Sequence, residues 1–310
     1  MRLFRAELTR LFARRFTKIM LLVMVLALGV IGAVTASQTH PPTDAEISRA
    51  RSEAADLRAE CERAQLGTPA EDRSSCTYET EHFLPYVLEF RDAASTLLFV
   101  FFGLLTLFAF LVGASFVGAE WSSGGMTNLL LWRNQRLRVL FGKLTALSFG
   151  ILLTGALLGG GWMASIWAIA RFRGVFGDLT PGFWNSLALD GARGMGLALL
   201  AVLTGAALAS LGRRTAAALG VLIGYLVVWE IGAMQVMRGL RVDPEPFMLS
   251  SYIAASVVKE YRIYFNREAC YDHTCDSLML TWQWGLAALG GVTVLTILAA
   301  AVSFRRRDIA

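Results

Sequence analysis

The sequence predicts an all-α polytopic membrane protein with six transmembrane helices, on three observations. Of its 310 residues 55% are hydrophobic and 17% charged, and mean hydropathy is +0.52; soluble domains carry about a quarter charged residues. Charges are nearly absent from six runs of about 20 residues, the length that crosses a hydrocarbon core of about 30 Å at 1.5 Å per residue. The charges that remain collect at the ends of those runs, as topogenic residues do.

Residues 1–18 read as an amphipathic interfacial helix. Phe4, Leu8, Leu11, Phe12 and Phe16 recur at helical spacing, and Arg2, Arg5, Arg10, Arg14 and Arg15 fill the other face. Such a helix is expected to lie in the headgroup plane with its arginines on lipid phosphates. The first span, 19–36, is longer than the apolar region of a signal peptide and follows a long basic segment, so its retention is expected. Residues 37–93 form a polar extracytoplasmic segment, read as a helical hairpin too short to hold much of a core.

The second span, 94–118, is strongly aromatic through Phe99, Phe101, Phe102, Phe108 and Phe110. A basic connection, 119–143, leads to the third span, 144–170. A turn containing Pro181 precedes the fourth, 193–211, and a few residues with Arg213 and Arg214 lead to the fifth, 216–235. A second extracytoplasmic segment, 236–279, precedes the sixth span, 280–303, and the tail, 304–310. Small residues at four-residue spacing, Gly155 with Gly159, Gly205 with Ala209 and Gly220 with Gly224, suit close helix packing.

With both ends in the cytoplasm, the inner segments hold fifteen basic residues against three acids, and the outer segments fourteen against twenty. That one-sided bias places the N- and C-termini inside, in a multi-pass cell (inner or cytoplasmic) membrane. It also accounts for the net charge of +5 without nucleic acid. Cys61, Cys76, Cys270 and Cys275 all fall outside, where thiols oxidise, so disulfides are expected. Pairing Cys61 with Cys76 and Cys270 with Cys275 is the simplest of three connectivities. A metal site at Cys270, His273 and Cys275 is the sharper alternative, but a closed structural site needs four ligands.

His40, His82 and His273 are external too, which excludes an intramembrane base or axial haem ligands. The chain has no phosphate-binding loop motif, and Gly142-Lys143 lacks the flanking residues of one. No catalysis, metal or bound cofactor is expected of the chain itself. Glu230 is the one acid well inside a span, so it should be paired or face a cavity; Arg193 and Arg238 are the partners within reach in sequence, and a gating role is open.

One segment carries more specific information. Glu120-Trp121-Ser-Ser-Gly124-Gly125-Met-Thr127-Asn-Leu129-Leu130, followed by Arg136 and Lys143, resembles the membrane subunits of ABC-2 type transporters. There the pattern E-x-x-x-G-[GT]-x-x-x-L-L lies between the second and third spans. The basic N-terminal helix, the six-span plan and the ending Phe304-Arg-Arg-Arg307-Asp308-Ile309 agree with it. Met126 stands where the family often has Thr, and Asn134-Gln135 where Pro-Val or Pro-Ile is common. The resemblance implies a permease half that pairs with a second half, identical or not, and with two cytoplasmic ABC ATPase subunits that bind ATP and Mg. It implies an elbow helix at the N-terminus and a coupling helix over Glu120 to Trp132, exporting an amphipathic or hydrophobic substrate such as a lipid, peptide or drug. Two other classes fit the same spans: a proton-coupled secondary transporter using Glu230, and a non-transporting sensor or assembly subunit.

Overall fold

The computed structural model describes residues 2–65, 76–126, 128, 136–258, 260–265 and 277–306. The expected fold class holds in its main statement. Six helices are long and apolar enough to cross a membrane: Arg15–Gln38, Phe90–Ser122, Leu137–Arg173, Pro181–Gly212, Thr215–Gly239 and Trp282–Arg305. In chain order the helices are α1 (Arg2–Ala13), α2 (Arg15–Gln38), α3 (Asp44–Ala64), α4 (Phe90–Ser122), α5 (Arg136–Arg173) and α6 (Pro181–Gly212). Then come α7 (Thr215–Gly224), α8 (Met234–Gly239), α9 (Leu249–Val257) and α10 (Trp282–Arg306). The nine residues between α7 and α8, Tyr225–Ala233, are π-helical. β1 (Glu260–Tyr264) and β2 (Ser277–Thr281) pair antiparallel, Glu260 opposite Thr281 and Tyr264 opposite Ser277.

The chain divides into two compact units. The larger comprises Met1–Leu28, Ser95–Trp162 and Pro181–Ala310. Its core is aromatic and is built on glycine notches. A Cβ on Gly194 would strike the ring of Phe102, and one on Gly159 would sit 3.1 Å from Phe101. Gly113 faces the backbone of Val202, and Gly205 the carbonyl of Phe110. Backbones this close let α4 and α6 gain contact that larger residues would block, which in lipid is the main source of helix association. Phe101, Phe102, Phe108 and Phe110 are accordingly buried, whereas Phe99 is exposed. Gly220 and Gly224, expected to serve the same purpose, face open space. The second and third spans bury 56% of their apolar windows and the fourth 50%, but the first and fifth bury only 11%. α4, α5 and α6 are therefore the packed spans.

Two element boundaries matter for function. The interfacial helix was expected to continue to residue 18, but α1 stops at Ala13, Arg14 is non-helical, and α2 starts at Arg15. Arg14 offers its carbonyl to the Lys18 amide, opening the next helix. The segment 236–279, read as an external polar stretch, contains α9, whose Ser251, Ala255, Ser256 and Val257 are buried. α9 packs on α6 and α10 through Leu197, Val257 and Leu289, with Leu249 and Ile253 beside them. Gly285 of α10 gives it room, since a Cβ there would meet Ser256 Oγ and the Tyr252 carbonyl at 2.6 Å. Pro181 likewise is the first residue of α6 and not part of a turn, as its missing N–H allows.

The smaller unit comprises Gly29–Ala94 and Met163–Thr180. α3 opens on a capping box: Thr43 Oγ1 accepts from the Glu46 amide, and the Glu46 carboxylate accepts from the Thr43 amide at 2.8 Å. His40 lies 3.1 Å from the same carboxylate. A disulfide joins Cys61 to Cys76, and the Arg58 guanidinium donates to the Tyr78 carbonyl. Cys270 and Cys275 lie outside the described residues. The Leu88 carbonyl accepts from Val175, whose own carbonyl accepts from Phe90, and Arg173 donates to the Ala36 carbonyl at 2.8 Å.

Candidate functional site

α4 runs beyond its apolar stretch and carries Glu120 and Trp121 in its last turn. Gly124 ends that turn with φ +73°, a left-handed conformation that suits glycine, while its amide bonds the Trp121 carbonyl at 3.2 Å. Helical geometry resumes at Gly125, with the Asn128 amide on the Gly124 carbonyl at 3.0 Å. Gly124 thus separates the span from a new helical turn, whose Met126 is fully buried. Ser122, Ser123, Gly124 and Gly125 are exposed, and Thr127, Leu129 and Leu130 lie outside the described residues.

Glu120 stands in a cluster of five charges with Arg14, Lys143, Glu7 and Arg10. One carboxylate oxygen accepts from Arg14 at 2.8 Å and the other lies 2.6 Å from Lys143 Nζ. Lys143 also donates to Glu7 at 2.8 Å. Lys143 is 0% and Glu7 1% exposed, so this pair is dry. Arg14 and Lys143 balance the two anions, and Arg10 adds a third cation at the exposed rim, 3.5 Å from Glu7; pairing of this kind is how buried charge is tolerated. Phe116, one turn before Glu120, presents its ring to both cations, 4.5 Å from the Arg14 guanidinium carbon and 5.2 Å from Lys143 Nζ. Arg14 also donates to the Ser115 carbonyl at 3.2 Å. The break after α1 frees Arg14 to reach α4, and Lys143, in the second turn of α5, reaches both acids.

Trp121 extends the junction to the rest of the bundle. Its ring packs edge-on to Phe304 near the end of α10, with centroids 5.4 Å apart, and lies under the Arg213 guanidinium at 5.1 Å. Gly118 meets the backbone and hydroxyl of Thr215 closely enough to leave no room for a Cβ. The end of α4 therefore touches the α1–α2 break, α5, the α6–α7 turn and α10 within two helical turns.

This geometry revises the expected role of the N-terminal helix. Its apolar face does not simply enter lipid: Leu11 is buried against Gly150 and Phe4 packs edge-on to Phe149, both on α5. Arg5, Arg10 and Arg15 are exposed, while Arg14 turns inward. Arg2 belongs to α1 by backbone. Glu7 was missed altogether. An acid among five arginines on an amphipathic helix, one turn from Leu11, was the available signal.

Glu230 lies in the π-helical stretch and is 9% exposed. The expected partners, Arg193 and Arg238, do not hold it. Arg193 pairs with Asp190 at 3.0 Å and stacks over Trp282, and Arg238 is exposed. Glu230 instead accepts from Tyr225 Oη at 2.8 Å, the Ser250 amide at 3.0 Å and Ser250 Oγ at 2.8 Å. Uncharged donors can satisfy a carboxylate without a counter-ion when several converge. Among the described residues no group of three or more His, Cys, Asp or Glu could hold a metal. No protein-family model matches the chain, and no curated protein matches it.

Proposed function

We propose that the chain is the permease subunit of an ABC-2 type transporter, driven by ATP-hydrolysing subunits on the cytoplasmic side and exporting an amphipathic or hydrophobic substrate. The observation that carries this reading is the position of Glu120. The residue that opens the E-x-x-x-G stretch is tied by charge to the α1–α2 break and α5, and its neighbour Trp121 touches α10 and the α6–α7 turn. A force applied to the segment after Gly124 would reach four other elements through short, directional contacts. Such rigid links let a partner's closure bias a bundle between two arrangements.

In this reading both termini are cytoplasmic, a second permease half completes the transporter, and ATP and Mg reside on the two partner ATPases. Affinity purification of the full chain from its own host tests it directly. An ATPase with a phosphate-binding loop should copurify, and Glu120→Ala should reduce its recovery and the ATP-dependent transport. Failure of any such ATPase to copurify would overturn the reading. Transport that persists without an ATPase and disappears in Glu230→Gln would favour proton coupling instead.

A further inference from the structure

Tyr225 and Glu230 act together on α9, although they are five residues apart. At 100° per residue an α-helix would point them about 140° apart. The π-helical turns of Tyr225–Ala233 close bonds five residues apart and bring them to one face. There Tyr225 Oη donates to Glu230 and accepts from the Leu249 amide at 3.0 Å, while Glu230 takes the Ser250 amide and hydroxyl. Leu249 and Ser250 are the first two residues of α9, so their amides have no intrahelical partner. The fifth span thus supplies the N-terminal cap of a helix that the α9 sequence leaves uncapped: Met248, at the cap position, makes no side-chain bond. Trp229 adds a third tie, donating to the Phe247 carbonyl at 3.1 Å.

We propose that the π-helical stretch Tyr225–Ala233 is a register latch for α9. In the π register Tyr225 and Glu230 clamp the start of α9 against α6 and α10. A shift of the stretch to α register separates the two side chains, uncaps Leu249 and Ser250, and releases the end of α9 nearest the fifth span. Release takes all three donors from the Glu230 carboxylate, so it requires water or a new donor to reach that face. Val227 and Val228 on the same stretch are 55% and 69% exposed, so the register can change without repacking a core. The latch deepens the transport reading by giving the bundle a movable element away from the Glu120 junction.

Backbone hydrogen exchange of the full chain in lipid nanodiscs tests it with no ATPase present, so its failure is distinguishable from failure of the transport reading. Peptides covering residues 244–257 should exchange at least tenfold faster in Glu230→Ala than in wild type, and by a smaller factor in Glu230→Gln, which keeps one acceptor. Deleting Val228 sets Tyr225 and Glu230 four residues apart, a spacing that shares a face in α register, and should leave α9 protected to within threefold of wild type. Rates within threefold of wild type in Glu230→Ala would refute the latch, and a tenfold rise in the deletion would refute the register argument. Protection lost equally across α6 and α10 would make Glu230 a general scaffold residue and overturn the proposal as well.

Discussion

Replacing Lys143 by Met tests whether the charge cluster holds the α1–α4–α5 junction. Met keeps the unbranched stem and removes the ammonium that contacts Glu7 at 2.8 Å and Glu120 at 2.6 Å. At an effective dielectric near 20, each contact is a gross attraction of about 6 kcal/mol. Desolvation of the ions offsets much of it, and breaking one side of a buried pair costs about 3–5 kcal/mol. Glu120 retains Arg14, but Glu7 is left with Arg10 at 3.5 Å, a cation whose side chain is 57% exposed. The cost therefore falls mostly on Glu7. Denaturant unfolding in detergent, read by tryptophan fluorescence, should show Lys143→Met destabilised by about 3–5 kcal/mol. The double variant Glu7→Leu/Lys143→Met removes both ends of the dry pair and should recover most of that loss. A single variant as stable as wild type, or a double variant showing the sum of the two single costs, would refute the idea that these charges are coupled.

Arg14→Lys keeps the charge but loses the forked contact with Glu120 and Ser115 and the stacking on Phe116, so a loss of about 1–2 kcal/mol in the same assay is expected. Gly118→Ala forces a methyl onto Thr215 and should cost about 1–3 kcal/mol, whereas Gly220→Ala, facing open space, should cost nothing measurable. Cys61→Ser/Cys76→Ser opens a loop with a sequence separation of 15 and should lower the stability of the smaller unit by about 3 kcal/mol, seen as faster proteolysis within residues 44–80. The Thr43 amide, then the side chains of His40 and Thr43, hold the Glu46 carboxyl down at about 2, below its usual 4.5. Because the folded value is depressed, the capping-box contribution is complete above 4.5 and lost as pH falls toward about 2. A carbon-13 titration of the Glu46 carboxyl should show that midpoint, and Thr43→Ala should return it toward 4.5.

The spans were legible because lipid demands long apolar runs, and a run such as 19–36 admits few other structures. The position of Gly124 as a break after the second span was legible for the same local reason: a flexible residue follows the last charged turn. What joins the junction was not. Glu7 and Lys143 are 136 residues apart, and no local pattern marks two buried charges as partners. Arg14 looked like its neighbours until the helix break turned it inward. α9 was hidden by its length and its serines: nine residues with three serines carry no membrane-length signal, yet Ser250 and Ser256 bond within the protein. The π register left no trace either, since Tyr225–Ala233 is apolar around its circumference apart from Glu230, and periodicity needs contrast to be read.

The dry ammonium of Lys143 imposes an order on how the chain is built. Glu7 and Glu120 are both synthesised before their shared cation; in the interval Arg14 can neutralise Glu120, while Glu7 has only the exposed Arg10 at 3.5 Å. Until the start of the third span arrives, Glu7 has every reason to stay hydrated and keep the first helix away from the bundle. Docking of that helix becomes favourable only once residue 143 has emerged, so the last ion to appear acts as the signal that three spans are ready to close.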